Sequence, residues 1–164
     1  MMKSVLHLLT ALRAVSQETG KARVVMEQTD QQFIVIELGG EEYALPISGI
    51  YEIIKMQKIT EVPNSRFFME GVTNLRGKIV PIISLRRRFG MEEAAAGRST
   101  RIVVVNHDDE IVGMVVDCVQ QVIQLDSIEE PGESAAGIDS RYFSGIGYFG
   151  EAFVTLLNIG SILR

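Results

Sequence analysis

Cysteine is nearly absent from this 164-residue chain: Cys118 stands alone, so no internal disulfide can form. That fits a reducing compartment. Tryptophan is missing, and the only histidines are His7 and His107. A zinc site takes three or four His, Cys or carboxylate ligands, so one cysteine and two separated histidines suggest none. Long apolar runs are also lacking. A spanning helix needs ~20 consecutive apolar residues, whereas the runs here resemble Ile79-Val80-Pro81-Ile82-Ile83. The stretch after Lys3 is interrupted by His7, Thr10 and Arg13, and no small-residue cleavage site closes it. A secretory signal is therefore not expected, and a cytoplasmic location is. Basic residues are in deficit: 16 Lys and Arg against 21 Asp and Glu leave a charge of −5, which argues against a protein that works by gripping nucleic acid.

What is present can fold. With 46% hydrophobic and 23% charged residues, the chain is neither disordered nor fibrous. Its length suits one domain, or two very small ones sharing a core. Residues 1–30 stand apart as an N-terminal extension. Val5, Leu8, Leu9, Leu12 and Val15 recur near a 3.6 period, which suggests a short amphipathic helix. Docking on the body or a frayed, disordered end is favoured over a partner-binding or membrane-surface role, because Lys3 and Arg13 are its only basic residues. Residues 18–30 read as a linker.

From Gln31 the pattern turns to strands. Phe33 to Leu38 is rich in β-branched residues and ends at Gly39-Gly40, a hairpin turn leading into Tyr43 to Ile47. Ile47, Ile50, Tyr51 and Ile54 sit at i, i+3, i+4 and i+7, predicting a short helix capped by Ser48. Asn64 or Ser65 is expected to open another short helix through Met69. Gly71 to Leu75 and Ile79 to Ile83 flank a tight turn at Arg76-Gly77-Lys78, with Pro81 implying an edge or a bulge. Ser84 to Phe89 reads as a helical turn stopped by Gly90. Strands follow at Arg101 to Val105, Ile111 to Val116 and Cys118 to Leu125. An acidic loop is expected at Asp126 to Asp139. Phe143 to Tyr148 and Phe153 to Leu157 form a last hairpin around Gly150, and Ile159 to Leu163 a closing helix. Nine or ten short strands with brief helices predict an all-β plan of small barrels or a sandwich.

Candidate chemistry is thin. Gly145-Ile146-Gly147-Tyr148-Phe149-Gly150 has the dinucleotide-fingerprint spacing, but Phe153 to Leu157 after it reads as a strand where a helix is required. No cofactor is expected. Cys118 lies in an apolar stretch and reads as a small core residue. Asp108-Asp109-Glu110 reads as a solvated turn. Arg86-Arg87-Arg88 is followed at once by Glu92 and Glu93 and lacks neighbouring exposed aromatics, so a solvated or protein-facing role is favoured over a nucleic-acid patch. By subtraction the chain reads as a binding module and not an enzyme.

Four segments carry a family resemblance. Phe33 to Ile47, Gly71-Val72-Thr73-Asn74-Leu75-Arg76-Gly77-Lys78-Ile79-Val80-Pro81-Ile82-Ile83-Ser84-Leu85-Arg86, Val112 to Asp117, and Tyr142 to Gly147 with Leu157-Asn158-Ile159 resemble, in order, the bacterial chemotaxis coupling family CheW. The resemblance implies an all-β fold of two intertwined five-stranded SH3-like barrels within residues 31–164, with no catalysis, metal or cofactor. It implies an adaptor that bridges the cytoplasmic tips of methyl-accepting chemoreceptors to the regulatory domain of the histidine kinase CheA. Such an adaptor is monomeric when free and reaches the membrane only through receptor arrays. The family's characteristic acid and arginine match Glu52 and Arg76, held close together at a groove between the barrels. Ile50, Ile53, Asn74 and Gly77 are the matching neighbours expected at the partner-binding site. Where the family often has aspartate the chain has Ser84, which can cap a helix but carries no charge. Two other readings remain open: a sibling adaptor of a non-flagellar chemosensory pathway, and an oligonucleotide-binding small barrel.

Overall fold

The structure, a computed structural model, describes residues 31–131 and 137–164. The expectation of an N-terminal helix falls outside these residues, as does part of the acidic loop. Eleven strands are arranged in two sheets. They are β1 (Gln32–Leu38), β2 (Glu41–Pro46), β3 (Ile50–Lys55), β4 (Met69–Leu75), β5 (Lys78–Ser84), β6 (Arg101–His107), β7 (Glu110–Val116), β8 (Cys118–Gln124), β9 (Ser127–Glu129), β10 (Phe143–Phe149) and β11 (Ala152–Leu157). Two short helices, α1 (Leu85–Arg88) and α2 (Ile159–Leu163), complete the set with 3-10 turns at Ile47–Gly49 and Ser140–Tyr142.

The first sheet has the order β8-β1-β2-β11-β10-β9 and the second β3-β6-β7-β5-β4. The second sheet is one continuous piece of chain, nested between the two halves of the first. The second has the expected five strands. The first has six, because β9 forms inside the expected acidic loop by pairing with Ile146 to Tyr148 of β10.

The central strands of both sheets are buried on both faces. In β1, Ile34, Ile36 and Leu38 enter a core shared by the two sheets, while Phe33 and Val35 join a second cluster with Ala44, Leu125, Val154 and Leu156. In β6, Val103 and Val105 face the shared core, and Ile102 and Val104 join Ile54, Val80 and Ile82. A face that is buried yet turned away from the other sheet must be covered by its own sheet, so each sheet rolls over on itself. This explains why Phe33 to Ile36 in β1 and Ile102 to Val105 in β6 are apolar runs rather than alternating ones.

The closures are visible. In the second sheet β3 and β4 are the outer strands, and the chain after β3 meets β4 through Thr60 and Val72, which exchange backbone hydrogen bonds of 2.8 and 2.9 Å. Gly71 permits this: its φ is +146°, and a Cβ there would lie 2.1 Å from the Thr60 carbonyl oxygen. In the first sheet the chain passes from β8 at one edge to β9 at the other, and Leu125 fills the corner against Gly147, where a Cβ would come within 2.4 Å of it.

Two expected helices are absent. Ile47 to Ile54 is a 3-10 turn followed by β3, and Asn64 to Phe68 is irregular up to the start of β4 at Met69, with Asn64 in the left-handed region at φ +59°. Pro81 lies inside the second sheet, but at a point where β5 has only β4 beside it, since parallel pairing with β7 begins at Ile82. Ser84 caps α1 as expected, its hydroxyl accepting from the Arg87 N–H at 3.3 Å.

Candidate functional site

The β3–β6 register slips: Ile50 lies opposite Val105 and Glu52 opposite Val104, so Tyr51 is an extra residue. A bulge of this kind bends the strand and re-aims its side chains. Tyr51 turns outward, 44% exposed, and Glu52 takes the face of Ile54, toward the second sheet's own core. A carboxylate thus occupies an inward position, with only 10% of its side chain exposed.

Its counter-charge comes from the turn between β4 and β5. Arg76 and Gly77 are the two central residues, at φ +52° and +85°, the left-handed pair that matches hairpin twist. Asn74 secures the turn, its Oδ1 accepting from the Gly77 N–H at 2.8 Å. Gln57 reaches over from the closing loop, donating to Thr73 Oγ1 at 2.8 Å and to the Asn74 carbonyl at 3.1 Å. Thr73 in turn donates to the Lys58 carbonyl at 2.8 Å. The turn so held carries Arg76 across the mouth of the rolled sheet, where its Nη2 donates to Glu52 Oε1. The other carboxylate oxygen, Oε2, is buried and accepts no hydrogen bond, while the Arg76 side chain is 69% exposed. An arginine fork can hold a carboxylate through two parallel bonds; here one is made. The pair retains unused hydrogen-bonding capacity on both sides.

The structure thus brings Glu52, Arg76, Asn74 and Gly77 together. It does not expose Ile50 or Ile53, which are 2% and 1% accessible and belong to the shared core. They brace β3 from behind, and a partner cannot touch them without opening that core. Tyr51, which the sequence reading placed on a helix face, takes the exposed position instead. A concavity of about 50 Å3 beside the pair is lined by Tyr51, Leu75, Arg76, Lys78, Val80 and Ile111. All six belong to the second sheet or its turns, so this surface is built by one sheet, where the resemblance implied a groove between two. Small-molecule sites occupy roughly 300–1,000 Å3, so the hollow is no larger than a single side chain.

Comparison with known proteins decides the family. Residues 32–164 match the model of the CheW-like domain. The chain belongs to the CheW family. It is 35% identical over 144 residues to a chemotaxis protein CheW of Klebsiella aerogenes, covering 87% of each chain. It is 37% identical over 134 residues to that of Helicobacter pylori, covering 81% of each. Identity to Protein PilI of Pseudomonas aeruginosa is 29% over 99 residues, 59% of this chain and 56% of that one. The crystal structure of the scaffolding protein TtCheW from Thermoanaerobacter tengcongensis matches with a TM-score of 0.75 at 32% identity, covering 82% of this chain and 88% of that chain. The two-sheet architecture is therefore the SH3-like fold of CheW proteins.

Within this CheW-like domain the remaining candidate groups are absorbed by structure. Arg86 donates to Asp117 through Nε at 2.8 Å and Nη2 at 2.5 Å, and to the Glu92 carbonyl at 2.8 Å. These bonds hold the Asp117 carboxyl below its ordinary range, helped by the Gly39 N–H. Arg87 pairs with Glu93 and approaches Glu70 at 3.7 Å. Arg88 donates to the Ile162 carbonyl at 2.8 Å and lies over the Phe68 and Tyr142 rings at 4.3 and 5.0 Å. No phosphate-gripping face is left among them. Burial, with nearby Glu37, pushes the Cys118 thiol up, the wrong direction for a nucleophile. Gly145 and Gly147 lie in β10, not in a turn before a helix. Among the described residues no three His, Cys or carboxylate groups gather as a metal site, and no helix is long and apolar enough to cross a membrane.

Proposed function

We propose that this chain is a chemotaxis coupling protein that works by binding alone, holding receptor tips and the regulatory domain of a CheA-type kinase in one assembly in the cytoplasm. The observation that carries this reading is the under-used Glu52–Arg76 pair displayed on a CheW-like domain. Glu52 sits within β3 and Arg76 on a turn tied down by Asn74 and Gln57, so the pair's geometry is largely set before a partner arrives and little ordering entropy is lost on binding. A partner that completes the hydrogen bonds of the Arg76 fork, with an apolar side chain in the hollow beside Tyr51, would gain from both. Nothing in this arrangement transforms a molecule, and the relatives are named as chemotaxis and scaffolding proteins.

The test is co-sedimentation of the purified chain with receptor-tip fragments and the kinase regulatory domain, singly and together. The chain is expected to enter the pellet with both, and Arg76→Ala to lose one or both interactions while staying folded. An Arg76→Ala chain that binds receptor and kinase normally removes the pair from the site. A second reading is an adaptor of a non-flagellar chemosensory pathway. The same assay with receptor tips from each pathway separates the two.

A further inference from the structure

At the far end of β3 from Glu52, Lys55 lies directly opposite Arg101 of β6. Like charges in direct register across an antiparallel pair are destabilising. Arg98, from the loop before β6, joins them around one open concavity of about 420 Å3 whose other lining residues are Met56, Gly97 and Thr100. None of the three cations enters a salt bridge among the described residues. Acidic residues outnumber basic ones in this chain 21 to 16, yet no carboxylate lines this hollow.

The rim is also pre-set. Arg101 Nη1 donates to the Arg98 and Thr100 carbonyls, each at 2.8 Å, which fixes the guanidinium against the loop. The Gly97 N–H donates to Thr100 Oγ1 at 2.8 Å and the Thr100 N–H to the Gly97 carbonyl at 3.3 Å, which closes the turn. Three cations thus face one volume, two of them on a stapled loop and strand end, at a standing cost to the fold.

From this the geometry points to a docking site for an acidic polypeptide segment, with Lys55, Arg98 and Arg101 receiving its carboxylates and Met56 its aliphatic stems. Charge complementarity commits the occupant: all the charged side chains that line the hollow, Lys55, Arg98 and Arg101, are positive. A polypeptide suits it better than nucleic acid, because no aromatic lines the hollow for base stacking and the whole chain is negative. A concave surface with three cations is a poor match for a flat anionic bilayer. The docking site does not depend on the adaptor reading.

The probe is a fluorescein-labelled decapeptide of alternating Glu and Gly, titrated with the full chain by anisotropy at low salt. Saturable binding is expected, weakening about tenfold between 50 and 200 mM NaCl, as screening of a few contacts requires. Lys55→Glu is the decisive variant. It should lower affinity at least tenfold while leaving the melting temperature unchanged or raising it by about 1–3 °C, since it replaces a like-charge pair by an opposite one. Arg98→Glu, in the exposed loop, should also lose binding, and Lys55→Arg should keep it. No saturable binding, or equal binding by Lys55→Glu and Arg98→Glu, overturns the proposal. So does tighter binding of a ten-nucleotide thymidine oligomer or of vesicles containing anionic lipid.

Discussion

Arg86 and Asp117 meet through two hydrogen bonds, and each finds a further partner, the Glu92 carbonyl for the arginine and the Gly39 N–H, at 2.9 Å, for the carboxylate. Arg76 and Glu52 meet through one, leaving a buried oxygen without a donor and most of the guanidinium in solvent. The chemistry is the same and the completion is not. The completed pair joins distant parts of the chain: Arg86 lies in α1, which follows β5 of the second sheet, Asp117 stands where the chain leaves that sheet, and Gly39 turns between β1 and β2 of the first. It clasps one sheet to the other. The incomplete pair lies on the second sheet alone and spans its mouth. A saturated pair has nothing left to offer a partner, whereas an unsaturated one held in place does. Under the proposed function, the count of unmet hydrogen bonds and not burial is what distinguishes the two pairs.

Arg86→Ala should have the largest effect on stability. It removes three hydrogen bonds from a charged donor and leaves Asp117, 29% exposed, without its counter-charge. A cost of about 2–3 kcal/mol is expected, because hydrogen bonds to charged groups contribute about 1.5–3 each before solvent repays part of the loss. Urea unfolding measures it as a fall in midpoint. A change below about 0.5 kcal/mol, the range of ordinary surface substitutions, would mean that the clasp is decorative.

The second pair should break asymmetrically. Arg76→Ala strands a buried carboxylate, whereas Glu52→Gln leaves an arginine that solvent already covers. The first is expected to cost about 1–3 kcal/mol, the usual penalty for an unsatisfied buried group, and the second less than that. Equal costs measured by urea unfolding would indicate that the pair acts as a plain surface salt bridge. For partner binding the expected order is reversed relative to the clasp: Arg76→Ala loses binding at modest cost to stability, and Arg86→Ala loses stability first.

Acid should loosen the clasp. The Asp117 carboxyl is held below its ordinary value of 3.8, chiefly by the hydrogen bonds from Arg86. A depressed folded-state value means that its contribution is fully present above the unfolded value and is lost as pH falls through the folded one. Stability should therefore decline through the region below about pH 4, where an unfolded aspartate takes up its proton. Asp117→Asn should be less stable at neutral pH and should lose that part of the acid slope. An unchanged slope in a pH series of urea melts would detach Asp117 from it.

How much of this could be read from the sequence follows from which signals are local. β1, β6 and the hairpin at Arg76-Gly77 were legible, since β-branched runs and a glycine turn are local signals. The placement of Glu52 near Arg76 came from resemblance, and no spacing rule supplies a contact across 24 positions. The segment 47–54 misled for a physical reason. The helical spacing of Ile47, Ile50, Tyr51 and Ile54 has another origin: the 3-10 turn at Ile47–Gly49 puts Ile47 and Ile50 into the shared core three apart, while the bulge turns Tyr51 outward and Ile54 into the second sheet's own cluster. β9 was illegible because three mostly exposed residues carry no pattern of their own and owe their strand to β10. Ser84 shows the opposite case: its hydroxyl caps α1 as its type predicts, while the charge of the clasp is supplied by Asp117, 33 positions on, which no local signal could nominate.

The smallest expected effect sharpens the contrast between the pairs most directly. Double-mutant cycles on Arg86/Asp117 and on Arg76/Glu52 give each pair's coupling energy, and repeating both at 0.1 and 1 M NaCl separates them by screening. The Debye length shrinks from ~10 to ~3 Å over that range. An exposed guanidinium at one end lets ions approach, so the Arg76/Glu52 coupling should fall by a few tenths of a kcal/mol, within the roughly 0–1 kcal/mol of solvent-exposed pairs. The Arg86/Asp117 pair, 21% and 29% exposed and tied by two parallel bonds, owes its coupling to hydrogen-bond geometry that ions do not reach, and should hold its value. If both couplings fall together, the hydrogen-bond count does not distinguish the pairs, and the recognition role of Arg76 must then rest on partner binding alone.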